Sequence, residues 1–326
     1  MFSRISQVAR HLSRPLPNYA HNAAAAFTYK MTSPSAAADE RNSRTIHTAA
    51  CLIIGDEVLG GKTMDTNSAY MAKFCFKLGM ALKRIEVIAD DEGEIVEAVQ
   101  RMSNTFDFVV TSGGIGPTHD DITYPSIAKA FNLKLQLHDE TLAKMRKLSK
   151  SHGSQQNFSW DEDSPTRRAR YRMVELPIDP MRDDKSQVIF SQEDLWVPVT
   201  CVNGNVHILP GVPRLFERLL DGLKPHLVSR LEDPEGKGMH RILISTPLVE
   251  SAVAPYLTEL AARVEPKGVK VGSYPKWGKK TNTVTLVGKD LECLESLVDE
   301  VSKNVNGYRV QIEGEDDKDT EEEAKP

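Results

Sequence analysis

The sequence predicts an α/β domain built on a mostly parallel sheet, followed by a smaller α+β domain. Three observations predict it. Between His47 and Phe131, short apolar runs alternate with segments of helical periodicity over short connections, the pattern of strands joined by crossover helices. Each of those runs ends in glycines or acids: Gly55-Asp56-Glu57, Asp90-Asp91 and Gly113-Gly114. Beyond a linker by composition at Pro234–Gly238, the order becomes β-α-β-β-α-β, the split βαβ pattern of ferredoxin-like domains.

Each element has its own justification. His47–Ile54 reads as a buried strand. In Asn67–Gly79, Tyr70, Met71, Phe74 and Leu78 share a helical face, and Gly79 is a natural stop. Leu82–Ile88 is the second strand. In Glu92–Asn104, Ile95, Val96, Val99 and Met102 recur at helical spacing. Phe106–Thr111 is the third strand and Ile122–Phe131 the third helix. Residues 149–172 differ: a polar run, 151–157, precedes the basic run Arg167-Arg168-Ala169-Arg170-Tyr171-Arg172, a solvated helix or loop or a phosphate-facing arm. Residues 179–194 read as a charged insertion. Leu195–Val202 and Val206–Leu209 flank Asn203-Gly204-Asn205, a hairpin with a type I′-like turn. Pro213–Leu227 is a helix that closes the first domain. In the second, Arg241–Ser245, Lys270–Tyr274, Thr283–Val287 and Tyr308–Ile312 are strands, and Val249–Val264 and Leu291–Val305 are helices.

The bulk properties narrow the class. A net charge of −5 lacks the basic excess of a nucleic-acid surface. No apolar run approaches the ~20 residues of a membrane span. The cysteines, Cys51, Cys75, Cys201 and Cys293, form no Cys-x-x-Cys pair, so neither a zinc site nor a disulfide framework is expected. Before Asp39 there is no acid, yet Arg4, Arg10, Arg14 and Lys30 are present, with Phe2, Ile5, Val8 and Leu12 near helical spacing. That is the composition of a mitochondrial transit peptide. Residues 1–44 are therefore expected to be a targeting or disordered extension and the location the mitochondrial matrix, with Met31 an internal start for a cytoplasmic form. The tail Glu313–Pro326 is acid-rich and nearly free of apolar residues, which predicts disorder.

The chemistry is expected at Phe108–Thr123. An apolar strand runs into Ser112-Gly113-Gly114-Ile115-Gly116-Pro117-Thr118-His119-Asp120-Asp121 just before a helical pattern. Glycines allow close backbone approach, and a glycine loop opening a helix can present N–H groups to phosphate. Two acids beside a phosphate repel it unless a cation such as Mg²⁺ intervenes. The loop thus predicts a metal-assisted nucleotide or phosphoester site. Ligands of parallel sheets gather beyond the carboxyl ends of the strands, so Asp56, Asp91 and the glycine loop are expected at one edge. Each piece also has a plainer reading: the glycines ending a strand, Asp120 and Asp121 capping a helix, Asp56-Glu57 a solvated strand end.

Gly-Gly-Ile-Gly-Pro-Thr-His-Asp-Asp-Ile-Thr at 113–123 resembles the signature of the MoaB/Mog-like molybdopterin-binding family. The branch it is most similar to holds the CinA N-terminal region and the N-terminal domain of animal FAD synthases. Gly55–Gly61 with Asp65-Thr66-Asn67, then Val87–Glu92, then Leu209-Pro210-Gly211-Val212-Pro213, resemble the branch's other motifs in order. The resemblance implies a three-layer α/β fold and a metal-dependent pyrophosphatase that cleaves FAD, or an ADP-ribose-like dinucleotide, to mononucleotides. It implies Mg²⁺ or Co²⁺, with K⁺, and a homo-oligomer. Carried onto this sequence, it makes Asp91 and Asp121 the metal ligands and Asp120 or His119 the general base, with Asp121 also catalytic. Gly55, Asp56, Glu57, Asp65, Asn67, Ser112, Gly113, Gly114, Gly116, Pro117, Thr118, Pro210 and Gly211 would contact the ligand. Two alternatives stand beside it: a molybdopterin-binding or adenylylating protein of molybdenum-cofactor assembly, and a non-catalytic nucleotide-binding module.

Overall fold

A computed structural model describes residues 33–149, 158–235, 238–275 and 281–312. In chain order the first domain contains α1 (Pro34–Ser43), β1 (Thr48–Ile54), the one-turn α2 (Asp56–Leu59), α3 (Asn67–Lys77), β2 (Ala81–Ile88), α4 (Glu92–Thr105), β3 (Phe108–Ser112), α5 (Thr123–Ala130), β4 (Leu135–Leu137), α6 (Asp139–Leu148), α7 (Pro165–Arg172), β5 (Glu175–Pro177), β6 (Val188–Ile189), β7 (Val199–Val202), β8 (Val206–Leu209) and α8 (Pro213–Leu227). The second contains β9 (His240–Thr246), α9 (Glu250–Val264), β10 (Lys270–Tyr274), β11 (Asn282–Gly288), α10 (Leu291–Asn304) and β12 (Tyr308–Val310). Pro34 onward belongs to a single compact unit.

The central sheet has the order β2-β1-β3-β8-β7-β6. β1 pairs in parallel with β2 and β3, and β3 with β8, while β7 and β6 add an antiparallel edge. Strand alternation explains the three layers. On β1, Ala49, Cys51 and Ile53 pack with Met71, Phe74, Phe216 and Leu219 on one face. Ala50, Leu52 and Ile54 pack with Ile95, Val99, Met102 and Ile127 on the other. A strand buried on both faces reads as a continuous apolar run, which is why this one was legible. At the β7–β8 turn, Asn203 and Gly204 have φ 52° and 78°, the two left-handed residues a type I′ turn requires.

The second sheet is antiparallel, order β10-β11-β9-β12, with α9 and α10 on one face. Its separate core holds Ile242, Ile244, Val253, Leu260, Val284, Leu286, Leu294 and Val301. This is the ferredoxin-like order expected.

Two expectations change, and one open reading is narrowed. α1 lies inside the stretch assigned to the extension, yet it docks on the first domain. Ser35 Oγ donates to Asp179 Oδ2 at 2.6 Å, Arg41 Nη1 to Asn203 Oδ1 at 2.9 Å, and Arg182 Nε to Asp39 Oδ1 at 2.7 Å. Ala38 is this helix's buried residue, so it carries no apolar stripe to read; polar partners some 140 or more positions away hold it. The charged insertion contributes β6 to the central sheet. The basic run is a helix, α7, capped by Ser164, whose side chain accepts from Arg167 N. The transit-peptide segment with Met31, the polar run 151–157 and the tail 313–326 fall outside the described residues. No helix among the described residues is long and apolar enough to cross a membrane.

Candidate functional site

Because β1, β2, β3 and β8 are parallel, their carboxyl ends lie at one sheet edge, and the four family-like motifs leave from them. Gly55 N donates to Ile88 O at 3.1 Å, tying the end of β1 to β2. Gly113 N donates to Leu209 O at 3.1 Å, tying β3 to β8. Asn67 sits between loops: its Nδ2 donates to Ser112 Oγ at 2.8 Å and to Gly211 O at 2.9 Å. Residues distant in sequence are thereby brought together at this edge.

The glycine loop is tightly built. Gly113 has φ 111°, and a Cβ there would lie 2.1 Å from Ile54 O. Gly114 has φ 66°, and its Cβ would lie 2.2 Å from Thr123 Oγ1. Thr123 N donates to Gly114 O at 2.9 Å and Thr123 Oγ1 to Gly113 O at 2.9 Å. The start of α5 thus grips the loop from below. Asp121 closes it: Oδ1 accepts from Gly116 N at 2.6 Å, and Oδ2 from Thr118 N at 2.8 Å and from Thr118 Oγ1.

The acids sort differently from the sequence reading. Asp91 caps α4, its Oδ1 accepting from Glu94 N at 3.0 Å. Asp90 is the residue turned toward the loop. Its Oδ2 accepts from Asp56 N at 3.0 Å, and Asp56 Oδ1 accepts from Asp90 N at 3.4 Å. Burial, and then the charges of Asp56, Glu57 and Asp120, push the Asp90 carboxyl above its ordinary value, against the hydrogen bond from Asp56 N. The metal pair expected from the resemblance, Asp91 and Asp121, is instead engaged with backbone N–H groups at two separate places. Asp65 also caps locally, accepting from Ser68 N at 3.0 Å. Among the described residues, no three His, Cys, Asp or Glu side chains are placed to hold a metal ion. His119 projects into solvent with its side chain 98% exposed, its Nδ1 3.9 Å from Asp120 Oδ1. The Thr118 hydroxyl and Asp120's own backbone N–H hold the Asp120 carboxyl below the ordinary range.

A cleft of about 460 Å³ opens over the loop. Gly113, Gly114, Gly116, Asp121 and Glu57 line it together with the apolar and aromatic side chains Trp196, Met173, Tyr124, Val212 and Leu215. Pro210 and Gly211 form part of its wall. Burial pushes the Tyr124 phenol up to about 12. Asp65, Asn67 and Ser112 line a smaller pocket on the other side of Glu57. Arg172, at the end of α7, donates from Nη2 to Asp121 O at 3.1 Å and lowers the Asp120 carboxyl by its charge. α7 is anchored by rings: the Arg170 guanidinium lies 4.1 Å from the Phe158 centroid and 5.1 Å from that of Trp160, and Arg167 lies 5.0 Å from Tyr171.

Residues 50–229 match the family described as the probable molybdopterin binding domain. The chain belongs to that family. Residues 238–313 match the FAD synthase middle domain. A protein named probable FAD synthase, from Caenorhabditis elegans, is 33% identical over 270 residues, covering 81% of this chain and 51% of that protein. A protein from Archaeoglobus fulgidus is 30% identical over 256 residues, covering 78% of this chain and 97% of its own. The chain spans about half the length of the Caenorhabditis relatives it matches. It is similar also to a solved CinA structure from Thermoplasma acidophilum, 29% identical, covering 56% of this chain and 98% of that one, TM-score 0.45.

For this member of the molybdopterin-binding family, sequence reasoning did not single out Asp90, Trp196 or Tyr124 at this edge, and held Arg172 only as part of a basic run that could be a phosphate-facing arm. One signal was present. Asp91-x-x-Glu94 has the spacing of a capping box, which assigns Asp91 to the helix and leaves Asp90 for the site. Trp196 carries no such mark: it precedes β7 and meets the loop only through the sheet.

Proposed function

We propose that this chain is a hydrolase that cleaves the diphosphate of FAD, or of a related dinucleotide, to mononucleotides. The observation that carries this reading is the mixed lining of the cleft. The glycine loop, Asp121 and Glu57 share one cavity with Trp196, Met173 and Tyr124, so phosphate and planar ring fit together there. The match to an FAD synthase middle domain supports a flavin as that ring.

Hydrolysis adds water across the P–O–P bond of FAD; one phosphoryl oxygen bridge breaks, and FMN and AMP leave with the water's oxygen on one of them. Arg172 would bind phosphate oxygens beside the glycine loop, whose lack of side chains lets the phosphates approach, and Trp196 would stack the ring. Asp120, with His119 beside it, would take the water's proton. Mg²⁺ is commonly held by one or two carboxylates together with substrate phosphates, and Asp56 and Asp90 form such a pair. Each accepts from the other's backbone N–H, and that reciprocal pairing, which sets the two carboxyl groups side by side, is the observation that suits them to a cation. When bound, a divalent ion would offset phosphate charge and lower the pKa of a water.

The test is FAD incubated with purified protein, K⁺ and Mg²⁺ or Co²⁺, with products separated by chromatography. FMN and AMP in equal amounts are expected. Folded protein that binds FAD without turning it over would turn the reading into a binding module. The family's description favours one second reading, molybdopterin binding; preferential binding of molybdopterin over FAD would establish it instead.

A further inference from the structure

A second and larger cleft, about 1070 Å³, lies between the first domain and the second. One wall is α3 and the start of β2; the other is β10 and β11 with the start of β9. Register explains what the second wall presents. Ile242, Ile244, Val284 and Leu286 face the helices. Their strand neighbours Arg241, Thr285 and Val287, opposite Lys270 and Gly272 on β10, face the cleft. This is the sheet face that α9 and α10 leave uncovered.

The lining is basic. Lys73, Lys77, Lys83, Arg241, Lys270 and Lys289 stand against one acid, Glu232. Glu232 is paired with Lys289 and lies 4.0 Å from His47 Nδ1. Among the described residues the ammonium groups of Lys73, Lys77, Lys83 and Lys270 have no carboxylate or hydrogen-bonding partner. Four unneutralised cations converging in one cavity set up a potential that concentrates anions. Rings sit among them: the Arg241 guanidinium lies 4.8 Å from the Phe76 centroid, and Tyr274 lines the same cavity with its side chain exposed. Ligand clefts are commonly about 300–1,000 Å³ and favour domain boundaries. This one is too roomy for a lone phosphate and of the size a nucleotide fills.

We propose that this cleft is a second ligand site, for a nucleoside di- or triphosphate, with the phosphates on the lysines of both domains and the base against Tyr274 or the Arg241–Phe76 pair. The proposal does not depend on the hydrolytic reading of the first site. A ligand held by Lys73 and Lys77 on one side and Lys270 on the other would also tie the two domains together.

The test is calorimetric titration of the full chain with ADP and ATP at two salt concentrations, and photolabelling with an azido-ATP followed by peptide mapping. Three proteins are compared: wild type, the double variant Lys73→Gln/Lys270→Gln, and Arg172→Gln. Both lysines are exposed, so the double variant is expected to fold, and circular dichroism checks it. Binding in the double variant is expected to weaken about tenfold, with a flatter salt dependence. Arg172→Gln should leave this affinity unchanged, and label should fall on peptides containing Tyr274 or Phe76. Equal affinity in wild type and the double variant overturns the proposal, as does label confined to Gly113–Asp121.

Discussion

At the residue scale, the glycine loop depends on space that only glycine leaves. Gly113 combines φ 111° with a carbonyl oxygen where its Cβ would be. Gly113→Ala is expected to cost about 1–3 kcal/mol from the strained conformation, more if β1 must move, read as a lower urea midpoint. Two aspartates are expected to part company. Asp121→Ala removes the acceptor for two loop N–H groups, so amide exchange across 115–121 should rise sharply, with KM for FAD raised. Asp90→Asn leaves the loop tied and removes a charge from the acid cluster, so kcat should fall with exchange in the loop unchanged. If both variants behaved alike in exchange, the division of labour between these acids would be wrong. His207 is a third case. It is buried on β8, its ring 4.7 Å from that of Phe108. Burial, helped by the charge of Arg230, pushes it from 6.5 down to about 3. A base depressed in the folded state gives stability that is full above the unfolded value and lost as pH falls below it. Stability should therefore decline from about pH 6.5 toward pH 3 in excess of what carboxylate protonation explains. His207→Phe should remove that excess.

At the scale of elements, the parallel strands were legible and the polar-docked helices were not. β1, β3 and α4 carry dense periodic apolar signals, because they bury one or both faces. α1 is different: its stability comes from Arg182 and Asn203, which sequence periodicity cannot see. Arg182 has a side chain only 1% exposed and pairs with Asp39. Asp39→Ala would leave that guanidinium buried without its anion, at about 1–3 kcal/mol, reduced because Asp39 is itself half-exposed. Equilibrium unfolding at pH 7 measures it, and a change within error would mean that the pair is incidental. α7 shows the same principle. Its arginines read as a solvated run, yet Phe158 and Trp160 stack on them and deliver Arg172 to the loop. Cation–ring contacts join residues whose spacing carries no helical or strand period, so they left no pattern to read.

At the scale of the whole molecule, two sheets have two separate cores. The first domain packs both faces of a six-stranded sheet; the second packs one face of a four-stranded sheet. Independent cores predict independent cooperativity. Calorimetry of the full chain should show two overlapping transitions, or a calorimetric enthalpy larger than the van't Hoff enthalpy. A single two-state transition would mean that the interface between the domains couples them fully. Nucleoside triphosphate in the cleft between them should draw the transitions together, because binding to the folded pair alone stabilises it.

Taken alone, the sequence determined the order of elements, the parallel first sheet, the antiparallel second, and the four loops that meet at one edge. Those follow from periodicity, turn chemistry and the rule that ligands gather beyond the carboxyl ends of parallel strands. Which of two adjacent aspartates faces the loop, which arginine reaches it, and that Trp196 lies across the cleft were decided by tertiary structure. The reason is geometric. Strand and helix periods say which face a residue shares with its neighbours in the chain, but the direction of a side chain in a loop is set by hydrogen bonds to partners that arrive only when the sheet has closed.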